Sequence, residues 1–423
     1  MTEFKKYKLG DICDLNKNSL KVSDTFDTIE YLDTSSITEN TIDSFQNFSR
    51  EDAPSRAQRK VQNETIIFST VRPNQNHFGL IQNPKTNLIV SSGFTTLDVK
   101  DKIEFDAKYL YYNLTQPSVV NFLQTLAQNS VSAYPSINPD DIGNLYLRFP
   151  EVSTQKKIAS VLSNIDRKIS ANREINRNLE ELAKQIYDYW FVQFDFPNEE
   201  GKPYKSSGGK MVWNDVLNRK IPDGWEVKKL GEVCNFRNGI NYDKKVIGNK
   251  SYKIVNVRNI SASSLFLNQN EFDIISLKSN QADNYLVSEN SILIARSGCP
   301  GATRIIMNVD TNVIFCGFII CMENFHSDYK LYFAYCLKAL ENTSATTTGG
   351  SILQNVSQDT LKRISVIIPP KDIITAYNEK TLAIFKSQLS IQKEIEELFK
   401  LRDNLLPLLM NGQVTLNSCL SAD

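Results

Sequence analysis

The chain repeats itself, beginning with YKLGDICDL at residues 7–15 and KKLGEVCNF at residues 228–236. Both stretches read Leu-Gly-acid-apolar-Cys, and they are offset by 221 residues (231 − 10). Four further landmarks recur in the same order: runs that end at Arg72 and Arg296, the Gly-Phe pairs at 93–94 and 317–318, YLYYNL at 109–114 and YFAYCL at 332–337, and runs that end at Pro150 and Pro369. This pattern indicates a tandem domain duplication.

Each repeat opens with short apolar runs that are rich in β-branched and aromatic residues. The clearest are ETIIFSTV (64–71), LIVSSGFTTLDV (88–99), NSILIAR (290–296) and NVIFCGFIICM (312–322). Asn, Ser, Asp, Gly and Pro separate them, as is typical of turns between strands. Each repeat is therefore predicted to be a mostly β unit with a few helices, including Ala107–Leu114 and its counterpart.

A heptad pattern follows each β-rich unit, with apolar residues at alternating steps of four and three. In the first repeat its members are Ile158, Leu162, Ile165, Ile169, Asn172, Asn176, Leu179, Ala183, Ile186 and Trp190. An offset of 219 gives Ile384, Gln388, Ile391, Ile395, Leu398, Arg402, Leu405 and Leu409. This second seam keeps the spacing but has two polar interruptions, Gln388 and Arg402. One interpretation is that each helix packs on its own domain and not on the other helix. Two matching seams instead favour an antiparallel coiled coil within the chain. Such a pair would relate the two halves by an approximate twofold axis.

The helices carry further apolar residues outside this seam. They are Leu182, Tyr187, Tyr189, Phe191, Phe385, Leu389 and Phe399. One apolar stripe suffices for helix pairing, so the excess indicates a second buried surface, against partner subunits or the adjoining β domains.

The predicted fold class is α+β, with two duplicated β-rich domains separated by the two long antiparallel helices. The predicted division is domain 1 at 1–152, helix 1 at 153–194, a connector at 195–224, domain 2 at 225–371, helix 2 at 372–412 and a tail at 413–423. The connector is rich in Gly, Ser, Lys and Pro, and is predicted to be exposed.

Composition excludes several classes of protein. Lys and Arg (48) balance Asp and Glu (48), so net charge neither supports nor excludes DNA binding. Seven cysteines without a CxxC pair and only two histidines argue against zinc and favour reduced thiols in a cytoplasmic protein. Apolar runs such as 313–321 are too short to span a bilayer, and no signal peptide or membrane association is expected.

The motifs of common catalytic sites are also missing from the sequence. It has no GxxxxGK[ST], and GCPGATR at 298–304 lacks the required lysine and spacing. GxGxxG after a strand, [DN]PP[YFW], HExxH and GxSxG are absent too. A histidine-activated nucleophile would need His77 or His326, which are more simply explained as loop residues. Cys13 and Cys234 occupy matching positions and are predicted to be buried.

Several segments together resemble the specificity subunit of type I restriction–modification systems. They are the LGD and LGE openings, the strand-loop elements that end in Arg72 and Arg296, INPDDIGNLYLRFP (137–150), WFVQFDFPNEEGKPYKSSGGKMVW (190–213), IPDGWEVKKLGEV (221–233) and LRDNLLPLLMNGQV (401–414). The resemblance covers essentially the whole chain.

This resemblance implies a non-catalytic subunit that binds double-stranded DNA. Each β-rich half would be a target-recognition domain reading one half of a bipartite site. The helices would set the spacing between half-sites and dock two modification (methyltransferase) subunits. No cofactor is expected in this chain; S-adenosylmethionine, ATP and Mg would belong to the modification and restriction subunits.

Polar loops beside the predicted strands are the candidate DNA contacts, because Arg suits guanine, Asn and Gln suit adenine, and basic residues suit phosphates. In the first domain they supply Arg56, Arg59, Lys60, Arg72, Asn74, Gln75, Asn76, His77, Ser132 and Tyr134. In the second domain they supply Arg258, Asn259, Arg296, Ser297, Arg304, Thr347 and Ser351. Each of these residues could instead be part of a solvated loop, but the matching positions of Arg72 and Arg296 after a strand favour DNA contact for these two.

Two alternatives remain open from the sequence. The chain could be a scaffold whose paired domains bind protein or another ligand without reading DNA, or an enzyme of an unrecognised kind. Site-specific protection of DNA in the presence of modification subunits would separate the DNA-reading hypothesis from both.

Overall fold

The computed structural model of the chain describes residues 3–129, 135–242, 248–262, 264–278, 281–341, 347–348, 351–352 and 356–414. The chain forms two compact units. The first comprises Met1–Arg173 with Gln392–Asp423, and the second comprises Glu174–Ile391.

The first unit holds the first β-rich domain. Its strands are β1 Lys5–Lys8, β2 Cys13–Leu15, β3 Thr28–Leu32, β4 Ile37–Thr38, β5 Thr41–Ile42, β6 Gln46–Ser49, β7 Ala57–Lys60, β8 Ile66–Ser69, β9 Phe78–Leu80, β10 Leu88–Ser91, β11 Phe94–Val99 and β12 Tyr146–Phe149. Its short helices are α1 Leu9–Ile12, α2 Ala107–Leu114, α3 Pro117–Gln128 and α4 Pro139–Gly143, with 3-10 turns at Thr34–Ser36 and Pro73–Gln75. The prediction of a helix at Ala107–Leu114 is confirmed.

Two four-stranded sheets form the frame of this domain, in the orders β6-β3-β10-β7 and β2-β11-β8-β9. Strands β8, β10 and β11 are buried at every position. The sequences of β8 and β10 are accordingly apolar except for a final serine, whereas β11 also buries Thr95, Thr96 and Asp98. Strand β10 lies parallel to β3, and β1 pairs with β12. The β4–β5 pair forms a separate hairpin.

The first long helix, α5 (Val152–Tyr187), begins in the first unit and ends in the second, where a π-helical turn (Asp188–Val192) follows it. The connector contains the hairpin β13 Met211–Asn214 and β14 Arg219–Pro222. It is only partly exposed, in contrast to the prediction. Phe196 and Ile221 are buried, and the Phe196 ring stacks on Tyr204 and Trp225 at centroid distances of 4.7 and 5.0 Å.

The second unit repeats the first. Its strands are β15 Glu226–Lys229, β16 Asn235–Asn238, β17 Lys250–Val255, β18 Asp273–Leu277, β19 Ile292–Ala295, β20 Thr303–Ile305, β21 Val313–Phe315, β22 Ile319–Glu323, β23 Thr347–Thr348, β24 Ser351–Ile352 and β25 Ser365–Ile368. Its helices are α6 Leu230–Val233, α7 Val257–Ala262, α8 Lys330–Lys338 and α9 Gln358–Lys362, with 3-10 turns at Gln269–Glu271, Asp283–Tyr285 and Ser327–Tyr329.

The strand orders of the two domains correspond. The sheet β16-β22-β19-β20 repeats β2-β11-β8-β9, the parallel pair β17–β21 repeats β3–β10, and β15–β25 repeats β1–β12. The duplication inferred from the sequence is therefore present in the fold. Cys13 and Cys234 lie at matching, buried positions, as predicted.

The second long helix, α10 (Lys371–Met410), returns from the second unit to the first. In the first unit it runs antiparallel to α5, because Asp166 contacts Arg402 while Asn172 contacts Glu394. The expected fold class, α+β with two repeated β-rich domains and two long helices, is confirmed. Among the described residues, no helix is apolar over a length that would cross a membrane.

The heptad seam faces the interior of each unit. Its buried members are Ile158, Leu162, Ile165, Ile169, Asn172, Ala183, Trp190, Gln388, Ile395 and Leu409. Its half-buried members are Asn176, Leu179, Ile186, Ile384, Ile391, Leu398, Arg402 and Leu405. In the second unit, Gln388 donates its side-chain amide to the Asn176 carbonyl at 3.4 Å.

Candidate nucleic-acid interface

Equivalent loops lie at equivalent edges of the two domains. In the first domain the loop joins β8 to the edge strand β9, and it contains Arg72. In the second domain the loop joins β19 to the edge strand β20, and it begins at Arg296. An edge hairpin can project polar side chains without disturbing the buried strands that carry it.

The first-domain loop has an unusual backbone. Arg72 and Asn76 adopt left-handed conformations, with φ of 48° and 57°, on either side of the 3-10 turn Pro73–Gln75. This conformation is uncommon for arginine and typically costs about 1–3 kcal/mol, so it persists only where the surrounding structure imposes it. The Arg72 amide donates to the Pro135 carbonyl at 2.9 Å, and the Asn74 amide donates to Gln124 Oε1 at 3.2 Å.

The side chains of this loop face two ways. Arg72, Asn74 and Gln75 are exposed. Asn76 and His77 are half-buried and bind the β4–β5 hairpin: Asn76 Nδ2 donates to Glu39 Oε1 at 2.9 Å, and His77 Nδ1 lies 2.6 Å from the Ile37 carbonyl. The first three side chains are therefore presented to solvent, whereas the last two hold the loop.

The basic residues that precede β8 also differ in their exposure. Arg56 is exposed. Arg59 and Lys60 lie in strand β7, where Lys60 forms a 2.5 Å ion pair with Asp24 and Arg59 donates to Ser19 Oγ at 3.4 Å. Of this group, only Arg56 presents an exposed cation for a phosphate contact.

In the second domain, Arg296 and Ser297 are half-buried at the start of the β19–β20 loop. The Arg296 amide donates to the Phe318 carbonyl at 2.8 Å, and its guanidinium donates to the Gly317 carbonyl at 3.2 Å. Gly298 follows with φ of 79°, and a Cβ there would lie 2.9 Å from Val257. A glycine is thus required for this loop to turn against α7.

Two of the predicted contacts in this domain do not fit the structure. Arg304 is buried in strand β20, where it pairs with Glu341 at 2.8 Å. Asn259 is buried and accepts from the Asn256 amide at 2.8 Å. Neither side chain has an exposed face for DNA. Arg258 is exposed, with its guanidinium 2.5 Å from Asp273.

The remaining predicted contacts lie outside the described residues or in strands of which the structure describes only the backbone. Ser132 and Tyr134 lie outside the described residues. Thr347 and Ser351 belong to the β23–β24 hairpin, whose backbone is described but whose side chains are not. These positions remain predictions.

Sequence reasoning missed an exposed aromatic ring beside Arg296. Phe318 is 61% exposed, although its repeat counterpart Phe94 is 1% exposed. In the sequence, the Gly317-Phe318 pair is recognisable only as a landmark of the duplication. An exposed ring next to a candidate reading loop adds a surface that could contact bases.

The described residues contain no cluster of His, Cys, Asp and Glu arranged to hold a metal ion. Burial raises the pKa of Cys13 and Cys234 to about 12, and that of Cys321 and Cys336 to about 11. These four thiols are protonated at neutral pH, which is the inactive form of a cysteine nucleophile.

Comparison with known proteins identifies the family. The sequence model described as "Type I restriction modification DNA specificity domain" matches residues 1–181 and again residues 222–403. The two matches together cover most of the chain and correspond to its two repeats. The chain belongs to this family.

Individual relatives agree with that assignment. The chain is 27% identical to the type I restriction enzyme MjaIX specificity subunit of Methanocaldococcus jannaschii, over 83% of this chain and 77% of that protein. It is 23% identical to the HindI specificity subunit of Haemophilus influenzae, over 98% of this chain and 100% of that protein. The fold resembles the S subunit of the type I system of M. genitalium, with a TM-score of 0.52, 17% identity and coverage of 96% of each chain.

Membership of this family establishes the general function. The chain is a DNA specificity subunit of a type I restriction–modification system, and it acts with DNA and with the other subunits of such a complex. The β8–β9 loop of the first domain and the equivalent β19–β20 loop of the second are the candidate DNA-reading elements of this specificity subunit.

Proposed function

We propose that each β-rich domain of this specificity subunit reads one half of a bipartite DNA site. In the first domain, Arg72, Asn74 and Gln75 would contact base edges. In the second domain, Arg296 and Ser297 would do so. The observation that carries this proposal is the position of both loops at the same edge of two sheets with the same strand order. Exposed Arg, Asn and Gln are also the side chains best suited to reading guanine and adenine.

The long helices would set the distance between the two half-sites. Each of them begins in one unit and ends in the other, so helix length is the quantity that would set this distance. The 36 residues of α5 correspond to about 54 Å at ~1.5 Å per residue. A helix pair of fixed length would allow only one length of spacer between the two half-sites.

A groove in the second unit would dock a modification subunit. It has a volume of about 920 Å³ and is lined by Leu182, Ile186, Tyr189, Trp190 and Lys380, among others. Leu182 is 45% exposed and Tyr189 is 40% exposed, and both line this groove, so it presents apolar surface that a partner would cover. Tyr187, Phe191 and Phe385 pack inside their own domain instead, so they are not part of this surface.

Catalysis would belong to the partners of this chain. The sequence has no nucleotide-binding or methyltransferase motif. We therefore assign S-adenosylmethionine to two modification subunits, and ATP and Mg to restriction subunits. The specificity subunit would contribute the choice of site.

The experiment that tests this function is a map of methylated adenines. The chain is co-expressed with its modification subunits, and genomic DNA is sequenced by a method that detects N6-methyladenine. We expect methylation at one bipartite sequence that is lost when the chain is omitted. Methylation that is unchanged without the chain, or that follows no common sequence, would contradict the proposal. Methyl transfer by the chain purified without its partners would contradict the assignment of catalysis to them.

A further inference from the structure

An ionic cluster connects the two long helices to the first β-rich domain. Its centre is Arg402 of α10, whose side chain is 16% exposed. The guanidinium lies 3.3 Å from Asp166 of α5, 3.4 Å from Glu39 and 2.9 Å from Asp403. Asp166 also accepts from the hydroxyl of Tyr112 in α2 at 2.5 Å. Burial lowers the pKa of Arg402, but these carboxylates outweigh it and keep the guanidinium charged.

Glu39 connects this cluster to the candidate reading loop. It occupies the tight turn between β4 and β5, with φ of 45°. One of its carboxylate oxygens faces Arg402, and the other accepts from Asn76 Nδ2 at 2.9 Å. Its amide donates to the Asn76 carbonyl, also at 2.9 Å. Asn76 ends the loop that begins at Arg72, so Glu39 is a direct bridge between helix α10 and that loop.

A second helical arginine contacts the same hairpin. Arg173 Nη1 of α5 donates to Thr41 Oγ1 at 2.7 Å, and its guanidinium lies over the Phe399 ring of α10 at 5.2 Å. The β4–β5 hairpin is therefore held by one arginine from each long helix. The loop above it, in turn, bonds to this hairpin through both Asn76 and His77.

The second domain is joined to its helices in a different way. At the repeat offset of 219, Arg402 corresponds to Ala183 and Asp166 corresponds to Phe385. Both are buried in an apolar cluster that includes Tyr335, the repeat counterpart of Tyr112. Tyr335 stacks on Tyr187 at a centroid distance of 5.6 Å. An aromatic junction thus occupies the place where the first domain has an ionic one.

We propose that Arg402 is a positioning residue for DNA reading by the first domain. Through Glu39 and Asn76, it fixes the loop that begins at Arg72 relative to the helices that set the spacer. Half-site recognition by the first domain then depends on this cluster, whereas recognition by the second domain does not. The inference rests on the proposed function in one respect, namely that the loop from Arg72 to His77 reads bases.

The test uses the complex with modification subunits and substrates in which each base of each half-site is varied. We expect Arg402→Gln to lower discrimination in the first domain's half-site by about tenfold, the range produced by one displaced base contact. Arg402→Lys keeps one cationic contact and should therefore lower discrimination in this half-site less than Arg402→Gln does. Glu39→Gln should have a similar effect, and because Glu39 is 39% exposed it carries a smaller risk of misfolding. Discrimination in the other half-site should not change.

The matched control is Lys338→Gln in the second domain. Lys338 forms a 3.2 Å ion pair with Glu180 that joins α8 to α5, and the pair has similar burial. This variant should shift thermal stability without changing base discrimination in either half-site. Equal loss in both half-sites with Arg402→Gln and Glu39→Gln would overturn the proposal, as would full discrimination in both variants. If the unaltered complex has no site preference, the proposed function itself has failed.

Discussion

Asn172 of α5 donates its side-chain amide to Glu394 of α10 at 2.8 Å, inside the seam of the helix pair. Asn172 is 2% exposed and occupies a heptad position that would ordinarily be apolar. Lys168 also pairs with Glu394 at 3.3 Å. Together, the hydrogen bond from Asn172 and the nearby ammonium of Lys168 lower the pKa of Glu394 below its ordinary value of 4.5.

This relationship predicts the effect of Asn172→Leu. Leucine adds apolar packing in the seam, and Glu394 is exposed enough to be hydrated by water. We expect the free energy of unfolding at neutral pH to stay the same or to rise by ~1 kcal/mol, as is common when buried polar contacts are replaced by apolar packing. Unfolding by denaturant, followed for the parent and the variant, measures this change in the free energy of unfolding. A loss of more than about 1 kcal/mol would show that the hydrogen bond is a main source of stability.

The pH dependence of the same pair has a definite sign. Because the folded pKa of Glu394 is depressed, its contribution is present above about pH 4.5 and is lost as pH falls through the folded pKa. Asn172→Leu removes the larger cause of this shift. The difference in melting temperature between parent and variant should therefore move in favour of the variant as the pH is lowered from above 4.5 through the folded pKa of Glu394. A constant difference over this range would contradict this explanation.

Arg72 is predicted to read a base. Arg72→Ala should relax specificity at one position of one half-site by about 1–3 kcal/mol, and Arg72→Lys should keep phosphate attraction while losing bidentate recognition. Methylation rates on single-base variants of the site measure both. Arg304→Ala is the control, because Arg304 is buried against Glu341 and should affect stability alone. Uniform weakening on all sequences with Arg72→Ala would identify Arg72 as a phosphate contact instead.

The groove in the second unit is predicted to bind a modification subunit. Leu182→Glu introduces a charge into an apolar contact and should weaken assembly by about 2 kcal/mol or more, as expected at the centre of an interface. Ile103→Glu is the control, because Ile103 is 86% exposed and lies in the first domain, outside the groove. Titration of purified modification subunit into the parent chain and into each variant gives the three affinities. Equal affinity for both variants and the parent would remove the groove from the interface.

The helices are predicted to act as a ruler. One heptad is added at the same level of both helices, after Arg173 and after Lys393, so that the Asn172–Glu394 pair is kept and the seam remains in phase. The rod lengthens by about 10 Å at ~1.5 Å per residue, or at most roughly three base pairs. Methylated sites should keep their half-site bases and gain spacer length. An unchanged spacer in an active complex would contradict the ruler.

The sequence was most informative where a periodic pattern determines the structure. The repeat landmarks and the helix at Ala107–Leu114 follow from local periodicity, and the fold contains both. Arg304 could not be placed from the sequence, because its burial depends on Glu341, which lies 37 residues further along the chain. Arg402 looked like a polar interruption of the seam. Its contact with the candidate reading loop becomes apparent only in the fold, which places Glu39, distant in the sequence, next to Arg402.

Each β-rich domain is predicted to read its half-site independently of the other. A domain exchange checks this independence: residues 1–150 are replaced with the corresponding domain of another type I specificity subunit, and methylated adenines are mapped with the assembled complex. Matching residues for Glu39 and Tyr112 are kept in the graft, so that the contacts with Arg402 and Asp166 survive. Independent reading by the two domains predicts a methylated site with one new half, one unchanged half and the same spacer. A map in which both halves change, or in which neither changes, would contradict it.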